Sequence, residues 1–268
     1  MSSIQIVSDL HLETAGYDYQ ITPKAAYLAL LGDTGLISDN EYIAFIEKQL
    51  SQFQVVFHVL GNHKPYNSSW DSTWTKLDKF QKANRLKRTQ DPQTSMGEYV
   101  LPYRGQYAVP ETNITILGCT LFSAIPAHAM TPVSNGLNDF RSIDGWTVEE
   151  HCREHQEDLK WLTDRVRSIA SADPESKIVI LTHYSPTVDS RAVEARHLNS
   201  PLRFGFQTDL ANKDCWTSRN VKLWAFGHTH FNCDFTDEKS GTRLYTNQRG
   251  YNFESAAGFR QGHVVDLY

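Results

Sequence analysis

The segment VKLWAFGHTH, residues 221–230, begins as a continuous apolar run and ends in Gly-His-Thr-His. Such a run, without polar alternation, reads as a strand buried on both faces in an α/β sheet. Its polar end sets His228 and His230 just past the strand's C-terminal end, where open α/β sheets bind ligands. The same grammar recurs upstream. KIVILTHY (177–184) closes on His183, IQIVSD (4–9) reaches Asp9 with His11 two residues on, AYLALLGD (26–33) ends at Asp33, and VVFHVLGNH (55–63) ends at Asn62 and His63. Shorter strands are expected in EYVLP (98–102), QYAVP (106–110) and NITILGCT (113–120), and late ones in TRLYTNQ (242–248) and HVVDLY (263–268).

Helical periods fill the gaps. Tyr42, Phe45, Ile46 and Leu50 share one face behind a Ser38/Glu41 capping box. Trp70, Trp74 and Leu77 fall at helical spacing with Phe80 alongside. A long helix follows a Thr147/Glu150 capping box, with Val148, Cys152, His155, Leu159, Leu162, Val166 and Ile169 as its apolar stripe. Strand–helix alternation with a strand-rich tail predicts a layered α/β architecture. No repeat, linker or low-complexity tract divides residues 1–268, so one domain is expected.

Composition narrows the function classes. The 268 residues are 40% hydrophobic, enough for a sizeable core. A formal charge of −5 speaks against a general nucleic-acid or anionic-membrane binder, although bound cations would invert the local field at a phosphate site. Cys119, Cys152, Cys215 and Cys233 form no C-x-x-C pair and read as reduced thiols. The start MSSIQIVSDLH resembles no signal peptide and no stretch has the length of a membrane span, so a cytoplasmic protein is expected.

Asp9, His11, Asp33, Asn62, His183, His228 and His230 are all metal-ligand types, and together they suit two adjacent divalent cations. An anionic bridge is needed between two cations, and Asp33 suits it. One cation can take Asp9, His11 and His230, the other Asn62, His183 and His228. Imidazole, carboxylate and amide donors with no nearby cysteine fit Mn, Fe, Zn or Co, of which Mn is expected to support activity in vitro. Alternation would point Asp9 and His11 the same way if their strand stays extended. His228 and His230 have to serve different cations, so the chain has to turn there, at Gly227.

The D-x-H, G-D, G-N-H, H and G-H-x-H clusters, in this order from Asp9 to His230, resemble the calcineurin-like metallophosphoesterase superfamily. The resemblance implies a four-layer α/β/β/α sandwich of two mixed sheets flanked by helices. It also implies a binuclear centre that hydrolyses phosphate esters by a metal-bridging hydroxide, with His63 aiding the leaving group. One position departs from the pattern: Lys64 stands where the family usually has Asp or Glu after Gly-Asn-His. Lys64 cannot accept a hydrogen bond from His63, and its charge would lower the pKa of His63 on close approach. Another carboxylate could take the missing acid's place, or His63 could act as a neutral donor.

Other candidates carry weaker signals. Asn62, His63, Arg141 and Tyr184 are expected around the substrate, with Arg141 as a bidentate phosphate clamp or, equally, a loop-fixing residue. His197 could line the cleft, and SPLRFGFQTDL (200–210) could form a lid or substrate wall or, equally, the start of a surface helix. His151 and His155 match H-x-x-E-H, but His155 continues an apolar stripe, which favours packing. His58 reads as a core residue, and the turn at Asn247, Arg249, Gly250 and Tyr251 as structural closure. A small phosphate ester is the expected partner, with phosphodiesters, cyclic nucleotides included, favoured. The alternatives are a phosphomonoesterase or protein Ser/Thr phosphatase, and a non-catalytic scaffold of the same fold. The scaffold reading would leave the ligands without purpose.

Overall fold

The computed structural model describes residues 2–100 and 103–268. Leu101 and Pro102, the end of the expected strand EYVLP, lie outside the described residues. The chain runs β1 (Ser3–Val7), α1 (Leu12–Ala15), β2 (Tyr27–Leu31), α2 (Glu41–Leu50), β3 (Val55–Val59), α3 (Trp70–Gln90), β4 (Glu98–Val100), β5 (Gly105–Ala108) and β6 (Ile114–Cys119). It continues through α4 (Met130–Gly136), α5 (Asp139–Ser142), α6 (Val148–Ala172), β7 (Lys177–Thr182), α7 (Asp214–Thr217) and β8 (Val221–Phe226). The remaining strands are β9 (Asp234–Thr236), β10 (Arg243–Thr246), β11 (Gly250–Tyr251), β12 (Glu254–Ser255) and β13 (Val264–Asp266).

One sheet has the order β13-β1-β2-β3-β4 and the other β5-β6-β7-β8-β10-β9. Both are mixed. β1 to β4 are parallel with β13 antiparallel at the edge, while β6, β7, β8 and β10 are parallel with β5 and β9 antiparallel at the edges. Residue parity explains the layering. Ile4, Ile6, Ala29, Leu31, Val55 and Phe57 of the first sheet pack with Val179, Leu181, Leu223 and Ala225 of the second, forming the layer between sheets. The alternate positions face helices: Leu28, Leu30 and Val56 meet Tyr42, Phe45 and Ile46, while Ile178, Ile180 and Trp224 meet Leu162 and Val166. The four-layer sandwich expected from the resemblance is observed. Both inner strand faces are buried, which is why these strands read as unbroken apolar runs.

Two helix starts differ in how they are capped. Thr147 Oγ1 accepts from the Glu150 amide at 3.2 Å, so the cap expected for α6 forms. The Ser38/Glu41 box does not. α2 begins at Glu41 behind Asn40, with no side-chain cap. Residues 37–39 are held elsewhere, the Ile37 amide on Lys64 O and the Asp39 carboxylate on the Tyr17 hydroxyl at 2.7 Å. The buried face of α6 also carries polar anchors that an apolar stripe does not reveal. Asp158 accepts from the Leu121 amide at 2.7 Å, His155 Nδ1 donates to Leu121 O at 2.8 Å, and His151 Nε2 accepts from the Ser123 amide at 3.0 Å. Leu121 and Phe122 are left-handed, with φ of 75° and 47°, so these bonds fix the irregular exit from β6. The His151/His155 pair is therefore a backbone anchor. His58 is a core residue, held between the hydroxyls of Tyr42 and Tyr99 at 2.7 Å each. All four cysteines are free. Among the described residues no helix is long and apolar enough to cross a membrane.

Candidate metal centre

The C-terminal ends of β1, β2, β3, β7 and β8 deliver the seven expected ligands to one place. They do so through turns. Asp9, His11, Asp33, His228 and His230 all have positive φ, between 43° and 69°. Left-handed non-glycine residues typically cost ~1–3 kcal/mol each and gather at functional sites. The expectation that an extended strand aims Asp9 and His11 together is corrected: β1 stops at Val7, and the two side chains converge because both residues are left-handed. The turn expected near Gly227 is present, with φ of 69° at His228 and 49° at His230. Glycine is required before three of the ligands, Gly61 ahead of Asn62 among them, where a Cβ would strike Asp33. At Gly32, φ is 93° and a Cβ would collide with the His183 ring; at Gly227 it would collide with Ser8 and Asp9.

The atoms of the expected ligands form two groups, and a third cluster joins His11 to Glu13 and His63. Asp9, His11 and His230 each offer one atom within 4.8 Å of the others, and so do Asp33, His183 and His228. In the first, His11 Nε2 lies 3.0 Å from His230 Nε2, which is 3.4 Å from Asp9 Oδ1. In the second, His183 Nε2 lies 3.0 Å from Asn62 Oδ1 and 3.4 Å from Asp33 Oδ2.

The hydrogen-bond partners of these residues assign tautomers that fit a cation. His183 Nδ1–H donates to Leu31 O at 2.8 Å, which turns Nε2 inward. Asn62 Nδ2 donates to Asp139 Oδ1 at 2.8 Å, which turns its carbonyl oxygen inward. Two lone pairs then face each other across 3.0 Å, a contact that needs a proton or a metal ion between them. His228 Nε2–H donates to Gly205 O at 3.2 Å, leaving Nδ1 as its lone-pair nitrogen. Electrostatics agree. Burial would raise the Asp9 carboxyl, but His230 and His183 hold it down at about 2. Burial opposes charge on His183 as well, yet Asp33 and Asp9 raise its pKa.

His63 sits beside this centre. Its amide donates to Asp33 Oδ1 at 3.0 Å, its Nε2 lies 3.9 Å from Asp33 Oδ2, and its ring stacks on Tyr66 at 4.3 Å. Burial would lower its pKa, but the Asp33 and Glu13 carboxylates push it up to about 9. The expected lowering by Lys64 does not occur, because Lys64 points away. Its buried ammonium donates to Gly35 O and lies 3.4 Å from the Tyr42 ring centre. Glu13 is the carboxylate at His63, with Oε1 at 3.1 Å from Nδ1.

A cleft of about 630 Å³ opens from Asp33, Asn62 and His63 outward to Leu137, Leu202 and Phe206. Phe206 stacks on His228 at 4.7 Å. The exposed ion pair Arg196–Glu254, at 2.7 Å, lies in the cleft lining. His197 and Arg203 also line the cleft, so the 200–210 segment is a wall. Two expected substrate contacts are corrected. Arg141 is exposed, donates to Asn135 O at 2.9 Å and Asn138 Oδ1 at 3.1 Å, and does not line the cleft. Its loop uses its donors locally. Tyr184 is fully buried behind His228 and reaches Asp139 Oδ2 at 3.4 Å. Conversely, the 247–251 turn does more than close the fold: Tyr251 lines the cleft, stacks on His11 at 4.1 Å and brings its hydroxyl to 3.3 Å from His63 Nε2. Glu13, Tyr66 and Tyr251 were not legible as site residues, and Asp139 stood out only as part of the polar cluster Asn138, Asp139 and Arg141. Only Lys64, marking a missing acid, pointed toward Glu13.

Residues 3–232 match the calcineurin-like phosphoesterase family. A protein of Acanthamoeba polyphaga mimivirus named Uncharacterized protein L509 is 26% identical over 274 residues, 95% of this chain and 93% of that one. Among solved structures, the phosphopantetheinyl hydrolase PptH of Mycobacterium tuberculosis superposes with a TM-score of 0.68 at 15% identity, over 94% of this chain and 90% of that one. A dimetal phosphatase from Danio rerio gives 0.52 at 14% identity, over 91% and 86%. At such identities the structural likeness speaks to the fold; the family match carries the assignment. The chain belongs to the calcineurin-like phosphoesterase family and is a metal-dependent phosphoester hydrolase.

Proposed function

We propose that Asp9, His11 and His230 hold one divalent cation and Asn62, His183 and His228 a second, with Asp33 between them, and that the chain hydrolyses small phosphodiesters. Bound there, the cations would supply Lewis acidity, activating a water nucleophile near neutral pH and offsetting phosphate charge. Manganese is the ion we expect to support activity in vitro, since the nitrogen and oxygen donors include no thiolate. His63 faces the cleft beside Asp33 and is placed to donate to the leaving oxygen.

The cleft carries the substrate reading. Its volume of about 630 Å³ far exceeds a phosphate group, and Leu137, Leu202 and Phe206 offer an apolar wall to an organic substituent. The names of the two structural neighbours, a phosphopantetheinyl hydrolase and a dimetal phosphatase, are in keeping with a two-cation site acting on a phosphate with an organic arm.

The test is hydrolysis of bis-p-nitrophenyl phosphate against p-nitrophenyl phosphate by metal-stripped protein reconstituted with Mn²⁺. The diester should show the higher kcat/KM. Faster monoester turnover would make the chain a phosphomonoesterase. No turnover of either, with two Mn²⁺ bound, would favour a scaffold.

Asp139 supports the second site. It accepts from Asn62 at 2.8 Å, Tyr66 at 2.6 Å and Tyr184 at 3.4 Å. Asp139→Ala frees the Asn62 amide to rotate, and binding of one of two Mn²⁺ should weaken about 10- to 100-fold. Calorimetric titration reads this directly, and equal affinities in mutant and wild type would refute it.

A further inference from the structure

We propose that Glu13 is the positioning residue for both His11 and His63, so that one carboxylate sets a metal ligand and the leaving-group histidine together. The kinetic part rests on the phosphodiesterase reading above; the rest does not. A single oxygen, Glu13 Oε1, lies 2.9 Å from His11 Nδ1 and 3.1 Å from His63 Nδ1. The two rings meet edge to face at 4.7 Å. With each Nδ1–H donated to Glu13, each Nε2 is turned to the opposite side. His11 Nε2 then faces His230 Nε2 at 3.0 Å, and His63 Nε2 faces Asp33 and the Tyr251 hydroxyl.

The local chain is built for this. His11 is left-handed and α1 follows at once, with the Leu12 amide on Thr34 O and the Thr14 and Ala15 amides on His11 O. That single turn carries Glu13 back over His11. The second carboxylate oxygen, Oε2, is buried with no hydrogen-bond partner among the described residues. Leaving such an oxygen unpaired is unfavourable and needs a reason. Orientation of two imidazoles by the other oxygen supplies one. Lys64 donates to Gly35 O and leaves Glu13 to the two imidazoles.

The experiment uses Glu13→Ala and Glu13→Gln. On metal-free protein, long-range ¹H–¹⁵N spectra of the histidine rings should show His11 and His63 protonated at Nδ1 in wild type. Both rings should lose that preference in Glu13→Ala and keep it in Glu13→Gln, whose amide oxygen still accepts. Calorimetric Mn²⁺ titration should show one cation weakened about 10- to 100-fold in Glu13→Ala. At saturating Mn²⁺, kcat for a phenyl diester should fall about tenfold further than kcat for a p-nitrophenyl diester, because the poorer leaving group depends more on His63. KM should stay within about twofold, and Glu13→Gln should recover most of the loss. Unchanged ring signals in Glu13→Ala would overturn the proposal, as would an equal loss for both esters. If wild type turns over no diester, the phosphodiesterase reading fails by itself, and the ring spectra and Mn²⁺ titration still decide the role of Glu13.

Discussion

Asp33→Ala is expected to release both proposed cations and to lower kcat by at least ~10²–10³-fold, the scale on which a single charge-stabilising group acts in a preorganised site. Asp33 is buried at the junction of the site. Oδ2 is 3.4 Å from His183 Nε2 and 3.9 Å from His63 Nε2, while Oδ1 accepts the His63 amide at 3.0 Å. Its carboxyl is held well below the usual range, since nearby His183 and His63 outweigh a burial penalty that acts the other way. Alanine removes the negative charge that two adjacent cations require and also orphans the His63 amide. Asp33→Asn is the control: it keeps the shape and the acceptor oxygen, tolerates the left-handed backbone, and isolates the loss of charge. Metal analysis after dialysis reads the result. Two retained metals with full activity in Asp33→Ala would show that Asp33 is not the bridge.

His63→Ala, by contrast, is expected to keep both proposed cations and to lower kcat by ~10²–10⁴-fold. His63 is outside both ligand groups of the proposed centre, and its side chain is held by Glu13, Tyr66 and Tyr251. The loss should be largest for esters with poor leaving groups and smallest for p-nitrophenyl esters, whose leaving oxygen needs little help. Metal content measured alongside kcat separates the two mutants. Loss of a cation in His63→Ala would instead place His63 among the ligands.

The ligands and their strands were legible because the same apolar runs that bury a sheet on both faces end in polar residues, and the ends of parallel strands lie side by side. VKLWAFGHTH and KIVILTHY state this almost without help. The local backbone was not legible. Alternation along a strand predicts an extended Asp9–His11 pair, whereas left-handed turns do the aiming. Side chains that act on the ligands were hidden for a different reason. Asp139 reaches Asn62 across 77 residues and Tyr251 reaches His63 across 188, and no local pattern marks such partners. Arg141 misled in the opposite sense. An arginine in a polar loop suggests a phosphate clamp, but Asn138 and Asn135, three and six residues back, already take its donors. Lys64 was informative through the acid it displaced: it signalled that a carboxylate from elsewhere was needed, and Glu13 is that carboxylate.

Anomalous diffraction from crystals of the protein soaked in Mn²⁺ tests the two-cation centre most directly. Two peaks are expected, one among Asp9, His11 and His230 and the other among Asn62, His183 and His228, with Asp33 in contact with both. A single peak, or two peaks with Asp33 bound to only one, would contradict it.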